Sequence, residues 1–494
     1  MKILLVYPEN PITYWGFQYA LKFTYRKAAY PPLGLLTVAA ILPQDIEKKL
    51  IDMNVSKLKD NDILWADYVL ISAMVVQRAS AKQVIERCKK YGVKTIAGGP
   101  LFTTEYESFG EVDHLLLGEG EITIPEFISD LKHNRAKPIY KTDRFADLNT
   151  SPVPSWHLIH VNKYVSQSIQ YSRGCPYHCD FCNITALFGN IPRTKDSSRL
   201  LSELDALYET GWRGNIFFVD DNFIGNKKKL INDTLPKIID WMKKHRYPFT
   251  FSTEASINLA DDKTLMELMS RAGFKSVFVG IETPDEDSLA ECKKTQNKDR
   301  DLMDSVRKIQ CFGMEVQGGF IVGFDNDKPS IFRNMVDFIQ DSGIISAMVG
   351  LLNAPKGTKL YQRMKSEGRL KDYFSGNNTD YTINFTPKMD LNLLVKGYKS
   401  IVSTIYSPKY YYERVRNFLK GCAVKKMRFT RFNPIVILIF LRSVVMLGIF
   451  GKERVYFWKL LLWSLFKHPK LLPAAVKFSI FGYHFRKIYE ETGV

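Results

Sequence analysis

Residues Tyr171–Ile184 read YSRGCPYHCDFCNI. They hold Cys175, Cys179 and Cys182 in the spacing C-x3-C-x2-C, with no fourth cysteine nearby. A structural zinc site calls for four ligands, usually as two spaced pairs. Here the fourth would have to come from far away, and His178 lies in a turn already crowded by the three cysteines. Three close thiolates with one open position suit a 4Fe–4S cluster that keeps an iron free for a small molecule. Three ordinary buried cysteines would fit poorly on so tight a Gly-Cys-Pro loop. Cys88, Cys292, Cys311 and Cys422 are scattered singly and read as small apolar fillers, so a second cluster is not expected.

Downstream of the loop, strand-like runs alternate with helical stretches. The runs are QSIQYS, NIFFVDD, FTFSTE, SVFVGIE, EVQGGFIVGF and SAMVGLLN, and SRLLSELDALYETG and DKTLMELMSRAG lie among the helices. Six strand–helix units predict a partial (β/α)6 barrel over residues 166–374. Barrels of this kind gather their chemistry at the C-terminal ends of the strands. Those ends carry the cysteine loop, Asp220-Asp221, Glu254, Glu282, Gly318-Gly319 with Gly323, and Asn353.

Residues 1–133 show an earlier alternation, KILLVY, KLIDMN, DYVLIS, KTIAGG and DHLLLG with helical patterns between. This predicts a doubly wound parallel sheet, with any ligand beyond the carboxyl ends of the strands. Residues 134–165 are polar, contain prolines and lack periodicity, and read as a linker. Residues 375–494 pass from a polar loop into a mostly helical, aromatic and basic extension.

The net charge is +17, and the last 74 residues hold 13 Lys and Arg against 3 Asp and Glu. That balance suits an anionic surface. The tail shows no nucleic-acid-binding motif, so no nucleic acid is expected. The run PIVILIFLRSVVMLGIF is 17 residues long with Arg442 inside it. A spanning helix needs about 20 apolar residues, so the run reads as an interfacial helix or a cap on the barrel. Trp458, Trp463, Lys459, Lys467 and Lys470 fit a segment lying on anionic lipid, with a buried helical subdomain as the alternative. Sparse cysteines and an N-terminus without signal-peptide features predict a cytoplasmic protein, peripheral on the inner face of the membrane.

The C-x3-C-x2-C loop, with Phe181 before its third cysteine, resembles the signature of radical S-adenosylmethionine enzymes. The AGGP and GEGE stretches of the first sheet resemble a cobalamin-binding domain. Their order, with the C-terminal extension, is similar to the cobalamin-dependent radical enzymes of the hopanoid C-2 methylase type over nearly the whole chain.

The resemblance implies a cluster on Cys175, Cys179 and Cys182 whose missing ligand is S-adenosylmethionine itself. It places Phe181 beside the adenine and Asp220 or Asp221 at the methionine ammonium. Glu254 and Glu282 would meet the amino group or ribose hydroxyls, Gly318 and Gly319 would admit the adenosine, and Asn353, closing the last strand, would also bind S-adenosylmethionine. It places cobalamin on Ser72, Gly98, Gly99, Pro100 and Gly118. Many cobalamin proteins ligate cobalt with the His of D-x-H-x-x-G; here DMNVSK has Asn54 at that position.

The implied activity is radical methylation of an unactivated carbon in an apolar, lipid-like or polycyclic substrate of the hopanoid type. S-adenosylmethionine would be cleaved reductively, and cobalamin would carry the methyl group. A flavodoxin or ferredoxin would be the reductant. Ring closure or rearrangement with the same cofactors is the alternative enzyme reading, and a non-catalytic iron–sulfur electron carrier is the alternative outside enzymes.

Overall fold

The computed structural model describes residues 1–371, 374–421 and 434–491; Cys422 lies outside them. Two parallel six-stranded sheets organise the chain. The first is β1 (Lys2–Tyr7), β2 (Glu47–Asp52), β3 (Tyr68–Ser72), β4 (Lys94–Gly98), β5 (His114–Leu117) and β6 (Ile139–Lys141), in the order β2-β1-β3-β4-β5-β6. Its inner strands β1, β3, β4 and β5 are apolar and buried on both faces by helices, as a parallel sheet requires, while the edge strands β2 and β6 are partly exposed. The order reverses at β1, between β2 and β3, so a crevice opens beyond the strand ends there.

The stretch read as a linker supplies β6, which pairs with β5 through Leu115↔Ile139 to Leu117↔Lys141. A three-residue edge strand is too short to show periodicity, which is why the sequence concealed it.

The second sheet is β7 (Ser166–Ile169), β10 (Asn215–Phe218), β11 (Thr250–Glu254), β12 (Phe274–Glu282), β13 (Glu315–Val322) and β14 (Ala347–Leu351), all parallel and in order from β7 to β14. It is the expected six-unit partial barrel. One face of each strand is fully buried against helices, while Phe217, Glu254, Phe278, Gln317 and Met348 on the other face are half-buried and line the lumen. The short pair β8 (Ser172–Arg173) and β9 (Arg193–Thr194) runs antiparallel and brackets the cysteine loop.

The C-terminal extension is helical. Helices Leu391–Ile405, Pro408–Lys420 and Leu472–Glu491 pack through Tyr406, Tyr411, Phe478 and Phe485 into the barrel's core cluster. Tyr14 joins them, its hydroxyl 2.7 Å from that of Tyr406 and its ring stacked on Phe485. Cys311 carries a disulfide, which corrects its reading as a lone filler. Cys88 and Cys292 are free and buried, as apolar fillers are.

Candidate functional site: the cysteine loop, the barrel mouth and the glycine cradle

Cys175, Cys179 and Cys182 are free, partly buried, and close enough that Cys179 disfavours ionisation of both Cys175 and Cys182. Burial, first of all, pushes the Cys182 thiol up to about 12. Asn222 Nδ2 lies 3.9 Å from Cys175 Sγ and Gln296 Nε2 3.8 Å from Cys179 Sγ. His178 is exposed, so no fourth ligand comes from inside the loop. Among the described residues no three His, Cys, Asp or Glu side chains close on one ion. Three thiols with amide N–H donors and an open position fit an iron–sulfur cluster.

The loop is held from below by Asp220. Its oxygens accept from the Tyr171 and Ser172 amides and from the Ser172 hydroxyl. Burial raises this carboxyl to about 7 despite those bonds. Asp220 therefore fixes the loop's entry and has no oxygen free for an ammonium, which corrects its assignment to the cofactor. Asp221 is the member of the pair at the mouth: it accepts from the Gly174 amide at 3.2 Å, and burial raises it to about 6.

Glu254 ends β11 facing the lumen. Among the described residues no hydrogen-bond donor reaches its carboxylate. Burial first, then the Asp221 and Asp220 charges, raise it to about 8. A half-buried carboxylate without a partner is a group waiting for a cation or hydroxyls.

Glu282 is already paired. A β-bulge after Gly280 ends in a tight turn with Glu282 at φ +65°, closed by the Thr283 N–H to Ile281 C=O bond of 2.9 Å. This left-handed geometry is costly for a non-glycine residue. It aims the carboxylate at Lys294 Nζ, 2.6 Å away, so Glu282 anchors a cation rather than standing open for a ligand.

Lys294 is the residue the sequence reading missed. Burial alone would lower its pKa, but Glu282 and the Cys179 and Cys182 thiols raise it, so it stays charged. Its Nζ lies 6.0 Å from the Phe181 ring centroid. The adjacent Lys293 instead meets Asp180 at 3.3 Å; nothing in ECKKTQNK distinguishes the two.

The two strand glycines part company. Gly319 faces the lumen, where a Cβ would come 2.7 Å from the Phe278 ring; Gly318 faces outward, where one would meet Phe320 at 2.6 Å. Gly318 is thus a packing position, not a cofactor contact. Asn353 is likewise spent: it donates to the carbonyls of Leu351 and Thr382 and accepts from the Asn384 amide, pinning the following loop. Phe181 lies edge-on to Phe324, ring centroids 6.4 Å apart.

In the first sheet, Ser72, Gly98, Gly99, Pro100 and Gly118 gather at the ends of β3, β4 and β5. Gly99 has φ +90°, and a Cβ there would lie 2.8 Å from Ser72 Oγ. Gly118, at φ +91°, donates its N–H to Thr103 Oγ1 at 3.1 Å. This is a cradle open to a ligand and closed to side chains, which fits cobalamin. Asn54 is no cobalt ligand: its amide donates to Asp52 Oδ1 and the Pro8 carbonyl, and its oxygen accepts from the Asn10 amide.

The GEGE stretch joins the two sites. Arg173, two residues before Cys175, reaches Glu121 at 2.7 Å and Glu119 at 3.4 Å, and Arg193 reaches Glu119 at 2.5 Å. Burial alone would raise Glu121, but Arg173 and the Ser151 hydroxyl hold it down to about 2. The cradle's third loop is thereby bolted to both strands that bracket the cysteines.

Fold and site together define a radical S-adenosylmethionine enzyme with a cobalamin-binding domain ahead of its barrel. Residues 169–339 match the radical SAM superfamily, residues 23–128 the B12 binding domain, and residues 358–493 a domain of unknown function, DUF4070. The chain is 43% identical to an uncharacterized methyltransferase of Synechocystis sp. over 86% of its length and 80% of that protein. It is 32% identical to the hopanoid C-2 methylase of Rhodopseudomonas palustris over 93% of its length and 88% of that protein. The radical S-adenosylmethionine methyltransferase TsrM of Kitasatospora setae, solved with cobalamin and a [4Fe-4S] cluster, shares the fold: TM-score 0.66 at 14% identity, covering 99% of both chains.

The chain belongs to the cobalamin-dependent radical S-adenosylmethionine methyltransferases. Its cofactors are a 4Fe–4S cluster, S-adenosylmethionine and cobalamin, and its activity is methyl transfer, which sets aside the rearrangement and electron-carrier alternatives. When bound, these groups supply the radical and the methyl group; the protein's part is to hold them, orient them and exclude water. Among the described residues no helix is long and apolar enough to cross a membrane.

Proposed function

We propose that the chain methylates an unactivated carbon of an apolar, lipid-like or polycyclic substrate of the hopanoid type. The observation that carries this is the likeness to the hopanoid C-2 methylase, which runs through 93% of the chain. The lumen lining supports it. Trp15 packs edge-on to Phe278 at 5.5 Å and donates to Met348 Sδ at 3.1 Å, and Tyr30 lies 5.4 Å from Phe217. Such walls bind rings by area and place few polar demands on them.

In this reading Cys175, Cys179 and Cys182 hold the cluster, with Lys294 as the cation among their thiolates. Asp221 and Glu254 receive the ammonium or ribose hydroxyls of S-adenosylmethionine, and Phe181 and Gly319 flank its adenosine. Ser72, Gly98, Gly99, Pro100 and Gly118 cradle cobalamin. A flavodoxin or ferredoxin supplies electrons. The chain works in the cytoplasm, peripheral on the inner face of the membrane, with its basic C-terminal region toward the lipid.

The test is to incubate the anaerobically reconstituted protein with a pentacyclic triterpenoid in detergent and S-adenosylmethionine carrying a deuterated methyl group. Label in the triterpenoid fraction supports the reading. Formation of 5′-deoxyadenosine with no label in the triterpenoid fraction refutes it.

A further inference from the structure

Two consecutive helices of the C-terminal extension turn apolar stripes outward. Helix Pro434–Ser443 continues through Val444–Ile449, and helix Arg454–Lys467 follows after a short turn. On the first, Ile437, Leu441, Val445 and Ile449 recur every four residues and are all exposed. Residues at that step share one helix face. On the second, Val455, Trp458, Leu462 and Phe466 form the equivalent stripe, also exposed. The inner faces are used differently: Leu447, Phe457, Leu460 and Leu461 are buried in the core that includes helix Leu472–Glu491. The two helices meet closely, with Trp458 Nε1 donating to the Gly448 carbonyl at 3.0 Å.

Among the described residues the most exposed large apolar side chains lie on this hairpin: Phe450, at the turn, is 80% exposed, and Phe466, near the far end of the second helix, 78%. A soluble surface seldom presents so continuous an apolar face without a partner. The exposed charges of the hairpin itself are basic, and at its turn Lys452 pairs with Glu490 of the last helix at 3.2 Å. Arg454, Lys459, Lys467 and Lys470 are exposed. Glu453, the one acid between residues 434 and 470, is buried and paired with Arg486 at 2.5 Å.

We propose that this hairpin is a monotopic docking element. It lies in the interface of an anionic bilayer, with Phe450, Phe466 and the two stripes below the headgroups and the cations among the lipid phosphates. Apolar area and positive charge on one face are what such binding needs. Neither helix is long enough to span. The placement deepens the reading of a lipid-like substrate by assigning the membrane contact to named residues, but it stands on exposure and charge alone.

The experiment is flotation of the reconstituted full chain with phosphatidylcholine vesicles, with and without phosphatidylglycerol, at low and high salt. The chain is expected to float with anionic vesicles at low salt and to be released as salt rises. The double variant Phe450→Ser/Phe466→Ser should lose at least tenfold in vesicle affinity. Lys459→Glu/Lys467→Glu should lose the preference for anionic lipid. Both change exposed side chains, and unchanged circular dichroism and cobalamin absorbance would show that the fold is kept. No flotation of the wild type, or equal flotation of the phenylalanine variant, overturns the proposal. So does a dimer in light scattering that the phenylalanine variant dissolves, because the face would then belong to a second copy. Turnover of detergent-dispersed triterpenoid is read in parallel. Docking lost with turnover kept leaves the substrate reading standing, whereas docking without any labelled lipid overturns the substrate reading alone.

Discussion

Glu121 and Arg173 offer the sharpest quantitative test of how the two cofactor domains are joined. Both are nearly buried, with side chains 6% and 12% exposed, and they face each other at 2.7 Å. The network holds Glu121 down from 4.5 to about 2, and one pKa unit corresponds to about 1.4 kcal/mol. The pair's environment therefore favours the ionised form by about 3 kcal/mol. The group's folded value is depressed, so this stability is present above the unfolded carboxyl value and is lost as pH falls from about 4.5 toward 2. Glu121→Gln should cost about 3 kcal/mol, and Arg173→Gln a similar amount, since each leaves a buried charge short of a partner. The double variant should cost well under the sum, with a coupling energy of about 2–3 kcal/mol. Urea titrations of the whole chain with a common slope, run at neutral pH, would measure all three. Additivity within about 0.5 kcal/mol would refute the reasoning and reduce the contact to a solvated one.

Three further outcomes follow from the site. Glu254 must ionise to bind an ammonium, and its folded value is raised to about 8. Affinity for S-adenosylmethionine, measured by calorimetry, should therefore climb up to about tenfold per pH unit from pH 6 to 8, and Glu254→Gln should flatten that profile. With no ligand present the same raised value costs stability as pH rises from the unfolded carboxyl value through about 8. Lys294→Met removes a buried cation beside the thiolates. Taking a separation of roughly 7 Å and an effective dielectric of about 20, the loss is about 2 kcal/mol, so the cluster's midpoint potential in an EPR-monitored titration should fall by roughly 100 mV. Asn54→His breaks the bonds to Asp52, Pro8 and Asn10. It should destabilise the domain by about 1–3 kcal/mol and leave the absorption spectrum of bound cobalamin without a histidine-ligated form.

Much of the architecture is legible in the sequence because parallel strands buried on both faces are written as short apolar runs. Strands β1, β3, β4, β5, β10, β12, β13 and β14 announce themselves in this way; β2, β7 and β11 are charged or polar runs marked by their place in the alternation with helices, and β6 stays hidden. The cysteine spacing is equally plain, since its three ligands lie within one turn of chain. Side-chain direction is what the sequence withholds. Asp220 and Asp221 are neighbours, yet the turn that follows β10 sends one under the loop and the other to the mouth. Gly318 and Gly319 are divided in the same way. Glu282 would have remained at the mouth if the strand ran straight; the bulge after Gly280 turns it onto Lys294. The bolts between Glu119, Glu121, Arg173 and Arg193 span more than 50 residues of sequence, and no local pattern signals pairs of that kind. Asn353 looked like a ligand-facing strand end because the loop that consumes its hydrogen bonds, around Thr382 and Asn384, is irregular.

The central claim is that this chain transfers a methyl group by radical chemistry seated on Cys175, Cys179 and Cys182. It is tested most directly by reconstituting the protein anaerobically with iron, sulfide and cobalamin, adding S-adenosylmethionine, a reductant and a triterpenoid, and quantifying 5′-deoxyadenosine and S-adenosylhomocysteine beside a Cys179→Ala control. The account predicts that both products form with the wild type and that 5′-deoxyadenosine disappears with the variant. 5′-Deoxyadenosine without S-adenosylhomocysteine, or equal amounts of it from Cys179→Ala, would contradict it.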